Sequence, residues 1–423
     1  MSETAAKTAG ACPVMHFDHE SPAYAKAWSA QDPATKPGCP MAWNEHHGGF
    51  WFATGYEEIT RIVRDPEVFT NGKEFDPATG KVTGGLAIPP VPAPRVIPDE
   101  TDGEEWRSYR KLINKAFTPK QAEAQRELAR SFATALIDTR IESGTIDLVQ
   151  DLTSPLPALI SMQVLGFELA RWRDFADPLH ELMYTVKSSP EYPACIEKLG
   201  RMNGIIRDTI AARRAAPGED LISHLVTSEI DGVPVDDESI RQIIVNLLYG
   251  GVDTTTALTA NVLIYLSSHP QDRQRLIDSP EILPFACEEF IRYFSPIHGV
   301  GRNVQAEVTV AGADLHPGDR VFLAYAHANR DPLVFPQADD VIIDRYPNPH
   351  IGFGAGNHRC IGSFLARMMF EVMISEVLAR MPEYVVDQAA CEPYGSISSV
   401  NGWVKVPARF APGPKRGKQG LLP

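Results

Sequence analysis

Ten residues constrain this chain more than any others: Phe353-Gly354-Ala355-Gly356-Asn357-His358-Arg359-Cys360-Ile361-Gly362. Glycine tolerates positive φ and has no side chain in the way, so a loop spaced by Gly354, Gly356 and Gly362 can bend and approach a flat group closely. Downstream, Ile361, Phe364, Leu365, Met368 and Val372 fall at i, i+3, i+4, i+7 and i+11, one apolar face of a helix. Cys360 is therefore expected at that helix's N-terminus, where unpaired N–H groups and the positive end of the macrodipole favour a thiolate over a thiol. A sulfur so placed is a candidate metal ligand, with room beside it for something large and planar.

Ile240 to Ser268 predicts a long helix with Ile240, Ile243, Ile244, Leu247, Leu248 and Gly251 on one face, entered after Asp236-Asp237 and stopped by Pro270. Gly250 and Gly251 inside it cost about 1 kcal/mol each relative to alanine. Close approach of a ligand or another backbone is expected there. Asp253, Thr254, Thr255 and Thr256 follow at once, although threonines in such a place also serve simply to back-bond to the preceding turn. Glu289-Phe290-Ile291-Arg292 sets opposite charges at i and i+3 on a further predicted helix.

The cysteine loop resembles the haem-thiolate signature of the cytochrome P450 family, Phe-x-x-Gly-x-(His or Arg)-x-Cys-x-Gly. Phe353, Gly356, His358, Cys360 and Gly362 occupy its fixed positions, with Gly354 in the same cofactor-binding loop. The resemblance implies heme b (iron protoporphyrin IX) with Cys360 as proximal iron ligand, Phe353 packed on the thiolate side and His358 at a propionate. Thiolate ligation pushes electron density onto iron and favours O–O cleavage. Gly250-Gly251-Val252-Asp253-Thr254 resembles the family's oxygen-activating motif, (Ala or Gly)-Gly-x-(Asp or Glu)-Thr. It implies that Gly250 and Gly251 lie against the cofactor and that Asp253 and Thr254 are catalytic, a solvent-gated carboxylate and a hydroxyl that relay protons to the dioxygen activated there.

The family also carries Glu-x-x-Arg between these motifs, completed by a later arginine. Glu289, Arg292 and Arg345 fit that set, with a structural role. Arg302 matches a propionate-binding arginine and is expected to begin a strand region. Many bacterial members have His-x-x-x-Arg where this chain has Trp106 and Arg110; Arg110 matches and Trp106 departs, its single indole N–H serving a propionate or packing at the ring edge.

The implied fold is mainly α with small β-sheets, the cytochrome P450 fold: one large helix-rich domain with a β-rich lobe over 41–412, after a flexible N-terminal arm, 1–40, and before a C-terminal tail, 413–423. Strand-like patches run from Phe50 to Thr54, Val308 to Val310 and Val321 to Tyr325, with turn chemistry from Asp314 to Asp319 between the last two. No stretch reaches the roughly 18 continuous apolar residues of a membrane span, and Met1 to Gly10 lacks an apolar signal-peptide core. A cytoplasmic monomer off the membrane is expected. A net charge of −14 argues against nucleic acid as a partner. The six cysteines show no CxxC or zinc-knuckle spacing, and Cys12-Pro13 and Cys39-Pro40 read as incidental.

No flavin- or iron-sulfur-binding segment is read in the chain, so electrons are expected from NAD(P)H through a reductase and an acidic ferredoxin or flavodoxin. Its docking face is expected at Arg359 with Arg107, Lys111 and Lys115. The resemblance places the substrate pocket on the Gly84 to Pro90 loop (Leu86 and Ile88), Leu247, Gly251, Ile297, Gly299 and Val300, and a late turn from Ser398 to Val400. These residues are apolar or small, so a hydrophobic substrate follows. Terpenoid, steroid, aromatic and polyketide classes all fit. The implied activity is insertion of one oxygen atom from O2; the alternatives are a peroxide-driven relative, which the intact Asp253-Thr254 pair disfavours, and a non-catalytic haem sensor or carrier, which would not need that pair.

Overall fold

The computed structural model describes residues 12–185, 189–397, 399–418 and 420–422. One helix organises them. Asp237–Ser268 runs for 32 residues, about 48 Å at 1.5 Å per residue. Asp236 caps it by accepting the Ser239 N–H at 2.9 Å, and Pro270 begins the next helix, Pro270–Asp278. Apolar residues lie on every side of it, the pattern of a helix buried in a core. Its first half, Ile240 to Val252, packs with Phe175, Leu179, Met202 and Ile206 from the helices Trp172–Tyr184 and Tyr192–Ala215. Its second half, Leu258 to Leu266, packs with Met369, Met373 and Val377 of the cysteine helix, Ser363–Arg380, and with Phe132 of Arg126–Asp138. The two cores meet at the Gly250–Thr254 stretch. Among the described residues no helix is long and apolar enough to cross a membrane.

The β-rich lobe centres on a six-stranded sheet in the order Val14–Met15, Met41–Asn44, Phe50–Ala53, Arg320–Leu323, Val300–Val304, Phe69–Thr70. Trp43 opposes Trp51, Phe52 opposes Phe322 and Val321 opposes Arg302. Arg302 thus sits mid-strand rather than at its start. Alternation along a strand sends Val300 and Arg302 to one face, where both line the central cavity. The turn expected from Asp314 to Asp319 is shorter, at Pro317-Gly318, because Asp314 and Leu315 belong to a strand. Val308–Val310 pairs with Ala313–Leu315 across Ala311-Gly312, both at positive φ, and the strand Arg320–Leu323 joins the large sheet instead.

The arm expected to be flexible up to residue 40 is also corrected from residue 13 onward; residues 1–11 lie outside the described set. Val14–Met15 adds a parallel strand to the sheet, and the helix Pro22–Ser29 buries Tyr24 and Trp28. The Tyr24 hydroxyl lies 2.7 Å from His298 Nε2, and Trp28 packs on His298 and His327. The aromatic content of the arm, hidden between prolines, outweighs its polar composition. At the other end, Gly413 donates to the Ile141 carbonyl, and Arg416 and Gly417 donate to Asp138 Oδ2, so the tail is docked up to Gly417.

Glu289 and Arg292 are fully buried on the helix Leu283–Phe294, and Arg345 nearly so. Arg292 grips Glu289 with two bonds, Nε–Oε2 2.7 Å and Nη2–Oε1 2.8 Å, while Arg345 Nε donates to Oε2 at 2.9 Å. The Ile342 N–H and the Asn348 amide complete the carboxylate's shell. Arg292 also holds the Asn329, Ala338 and Asp340 carbonyls. Removing one partner would strand a buried charge. Arg292→Ala is therefore expected to lower unfolding free energy by about 3–5 kcal/mol in denaturant titration. Arg107→Ala, at the exposed pair with Glu104, should leave it nearly unchanged; equal effects would contradict this account.

Candidate active site

The cysteine loop, the Gly250–Thr254 stretch and the strand Val300–Val304 enclose a common cavity. It holds about 1570 Å³ of space between protein atoms, its open mouth included. Cys360, Phe353, Gly354, His358 and Gly362 line one side and Gly250, Gly251 and Thr254 another.

The Cys360 N–H donates to the Phe353 carbonyl at 2.8 Å, tying the two ends of the loop. Gly356 has φ +67 and lies so close to the Val63 carbonyl that a Cβ would collide. The helix itself starts at Ser363 with Gly362 as its cap, so Cys360 stands outside the first turn. This corrects the expectation of a dipole-favoured thiolate. The sulfur faces the cavity but lies deep in protein mass; that depth raises its pKa and Asp99 adds to the rise, outweighing the Gly362 N–H, Arg110 and Arg359. A metal would have to displace the proton, as coordination does outright.

On the central helix, a Cβ built on Gly250 would meet nothing, while one on Gly251 would come within 2.8 Å of Ser161 Oγ from the helix Pro155–Leu165. Gly250 thus leaves open space at the cavity and Gly251 admits a neighbouring helix. The Thr254 hydroxyl donates to the Gly250 carbonyl at 2.8 Å. Asp253, one residue earlier, is about 100° round the helix and does not line the cavity. It is not gated to solvent as expected but buried: His180 Nδ1 lies 2.7 Å from Oδ1, and the Tyr394 hydroxyl is 2.9 Å and 3.0 Å from the two oxygens. His180 and Tyr394 went unnoticed in the sequence because they lie 73 and 141 residues away, in no motif.

Polar groups gather at one edge of the cavity. Arg302 is 4% exposed, donates to the Gly301 carbonyl, and pairs with no carboxylate among the described residues. His358 Nε2 is 3.2 Å from Asp102 Oδ1, but its Nδ1 is buried without a partner. The Trp106 ring lies 5.5 Å from that of His358, and its indole N–H is likewise buried and unpartnered. Arg110 reaches the loop rather than the cavity, donating to the Arg359 carbonyl at 2.7 Å.

Of the residues expected to hold substrate, Leu86, Leu247, Gly251, Ile297 and Val300 line the cavity, and Phe117, Ser161, Val164 and Asn246 join them unforeseen. Three do not line it. Ile88 turns into the sheet among Met15, Phe50 and Phe322; Gly299 abuts Phe322; Val400 packs with Ala257 and Tyr394. Ser398 lies outside the described residues. Arg95, on the same loop as Leu86, pairs with Glu105.

The family model described as Cytochrome P450 matches residues 194–382. Over 376 residues the chain is 30% identical to the steroid C26-monooxygenase of Mycobacterium tuberculosis (strain CDC 1551 / Oshkosh), covering 87% of this chain and 97% of that one. The chain belongs to the cytochrome P450 family. It is also 32% identical to the linalool 8-monooxygenase of Pseudomonas putida over 82% of this chain and 86% of the relative. The solved structure of Mycobacterium marinum cytochrome P450 CYP268A2 in complex with pseudoionone superposes with a TM-score of 0.82 at 25% identity, covering 93% and 98%.

As a cytochrome P450 monooxygenase the chain belongs with enzymes whose prosthetic group is haem on a cysteine thiolate. The residues present fit that group. A cysteine faces the cavity, and His358 with its unpartnered nitrogen, the carboxylate-free Arg302 and the unpartnered Trp106 indole beside His358 would offer donors to a haem's anionic propionates. The P450 also braces its cysteine loop from below. Arg367 of the cysteine helix stacks 4.4 Å over the Phe353 ring and donates to Glu288, which His350 also contacts at 3.0 Å. Burial alone would raise the Glu288 pKa, but Arg367 and His350 outweigh it and hold it at about 2, against an ordinary 4.5. A depressed carboxylate stabilises the fold above its unfolded pKa and loses that contribution as pH falls. Unfolding free energy is expected to drop as pH goes from about 4.5 toward 2, with a shallower slope in Glu288→Gln; identical slopes would contradict the bracing role.

Proposed function

We propose that this P450 inserts one oxygen atom from O2 into an apolar small molecule, with Cys360 as the iron ligand, His358, Arg302 and Trp106 at the propionates, and Asp253 and Thr254 moving protons. The observation that carries the reading is one cavity joining the cysteine to the Gly250–Thr254 break through an apolar lining, Leu86, Phe117, Val164, Leu247, Ile297 and Val300, with Asn246 and Ser161 as polar exceptions. Bound haem would supply dioxygen activation. Thr254 Oγ1 keeps a lone pair for the cavity while its proton rests on the Gly250 carbonyl. Asp253 would pass protons from the dry side, its carboxylate positioned by the Tyr394 hydroxyl and His180, and reach the cavity by turning about its own side-chain bonds.

Relatives named for a steroid and for linalool support a hydrophobic substrate. Electrons would come from NAD(P)H through a reductase and an acidic ferredoxin or flavodoxin at the face formed by exposed Arg359 with Arg107, Lys111 and Lys115, with the Arg110–Arg359 bond tying the helix to the loop. In turnover assays, Thr254→Ala should keep its haem yet lose about tenfold or more of its product per NAD(P)H, with hydrogen peroxide appearing instead. In the same assay Arg359→Glu should slow reduction and flatten its salt dependence. Unchanged coupling in the first variant would remove the relay role, and unchanged salt dependence in the second would remove the docking face.

A further inference from the structure

Three side chains with metal-ligating atoms meet at the edge of the large sheet, and none of them lines the cavity. Asp18 and His19 follow the strand Val14–Met15; His47 lies in the turn between Met41–Asn44 and Phe50–Ala53. Parallel pairing sets Met15 beside Asn44, and the Asn44 amide donates to the Phe17 carbonyl at 2.9 Å, fixing the two segments together. One ligand atom from each of Asp18, His19 and His47 lies within 4.8 Å of the other two, with His47 Nε2 2.8 Å from Asp18 Oδ1.

His19 supplies the second, independent observation. It is fully buried against the rings of Phe50 and Phe322, centroids 5.1 Å and 4.8 Å away, and neither ring nitrogen has a hydrogen-bond partner. Leaving a buried polar group unsatisfied is costly, and an orphan of this kind asks for an ion or water. The Ile88 main chain lies beside the ring, short of hydrogen-bond geometry. A small rotation would let the second nitrogen donate there, the support that ligating histidines commonly have.

We propose that Asp18, His19 and His47 bind one divalent transition-metal cation of the zinc type, with solvent as fourth ligand, and that the ion staples residues 13–20 to the sheet. Bonds of about 2.0 Å in tetrahedral geometry separate ligand atoms by roughly 3.3 Å. The cluster needs to close by about 1.5 Å at most from its 4.8 Å limit. His47, on an exposed turn, can supply that movement, its Nε2 lone pair going to the metal with the ring proton on Nδ1.

The test uses the purified, haem-loaded protein, stripped with EDTA, dialysed and titrated calorimetrically with zinc chloride. One zinc per chain is expected beyond the haem iron, with zinc-edge X-ray absorption showing two imidazole nitrogens and oxygen. His47→Ala and Asp18→Asn should each weaken it by at least about tenfold, while His16→Ala, at the exposed neighbouring pair with Glu45, should not. All variants should keep the wild-type Soret band, which separates metal loss from misfolding. Absence of zinc binding, equal affinity in His47→Ala and wild type, or loss in His16→Ala alone would overturn the proposal.

Discussion

The carboxylate of Glu289 has no access to water, and the protein around it is arranged to make that tolerable. Its partners come from three places: Arg292 one helical turn on, Arg345 some fifty residues later, and the Ile342 N–H and Asn348 amide between and beyond. A buried ion pair seldom outperforms a well-packed apolar substitute in stability, but it punishes any arrangement that leaves one charge alone. Satisfying Glu289 therefore dictates the path of residues 329–348, because Arg292 spends its remaining donors on carbonyls of that segment. The path delivers the chain to Ile351, whose N–H bonds Asn329, and so to the cysteine loop. Position of the sulfur rests on this cluster as much as on the loop's own glycines.

The central helix solves the opposite problem. Its 3.6-residue turn puts neighbouring residues on different faces, so Thr254 looks into the cavity while Asp253 looks into packed protein. An acid in open solvent would be free to exchange protons with bulk water. Here two aromatic side chains, His180 and Tyr394, enclose it, and the Tyr184 ring packs on both. A cavity-facing hydroxyl and a dry acid thus stand within one helical turn.

Local signals in the sequence carried the cysteine loop, the long helix with its caps, and the Glu-x-x-Arg pair, since each depends on spacing within one segment. Long-range packing was invisible. His180 and Tyr394 reach Asp253 through tertiary structure alone, and Cys360 sits ahead of the helix start because Gly362 caps it two residues later than the periodicity from Ile361 suggests. The N-terminal segment looked mobile from its prolines and polar residues, yet Tyr24, Trp28 and Phe17 bury it. Ile88 and Gly299 illustrate the limit for strands and loops. Leu86 and Ile88 lie in a loop with no alternation to assign their faces, and Ile88 follows the sheet while Leu86, two residues earlier, meets the cavity.

Within this frame Cys360 would place its sulfur on a haem iron. The carbon-monoxide difference spectrum of the dithionite-reduced protein, compared with that of Cys360→Ser, tests it most directly. A strongly red-shifted Soret band in the wild type that disappears in the variant is the predicted result. A band like that of histidine-ligated haem in the wild type, or a red-shifted band that survives the substitution, would contradict it.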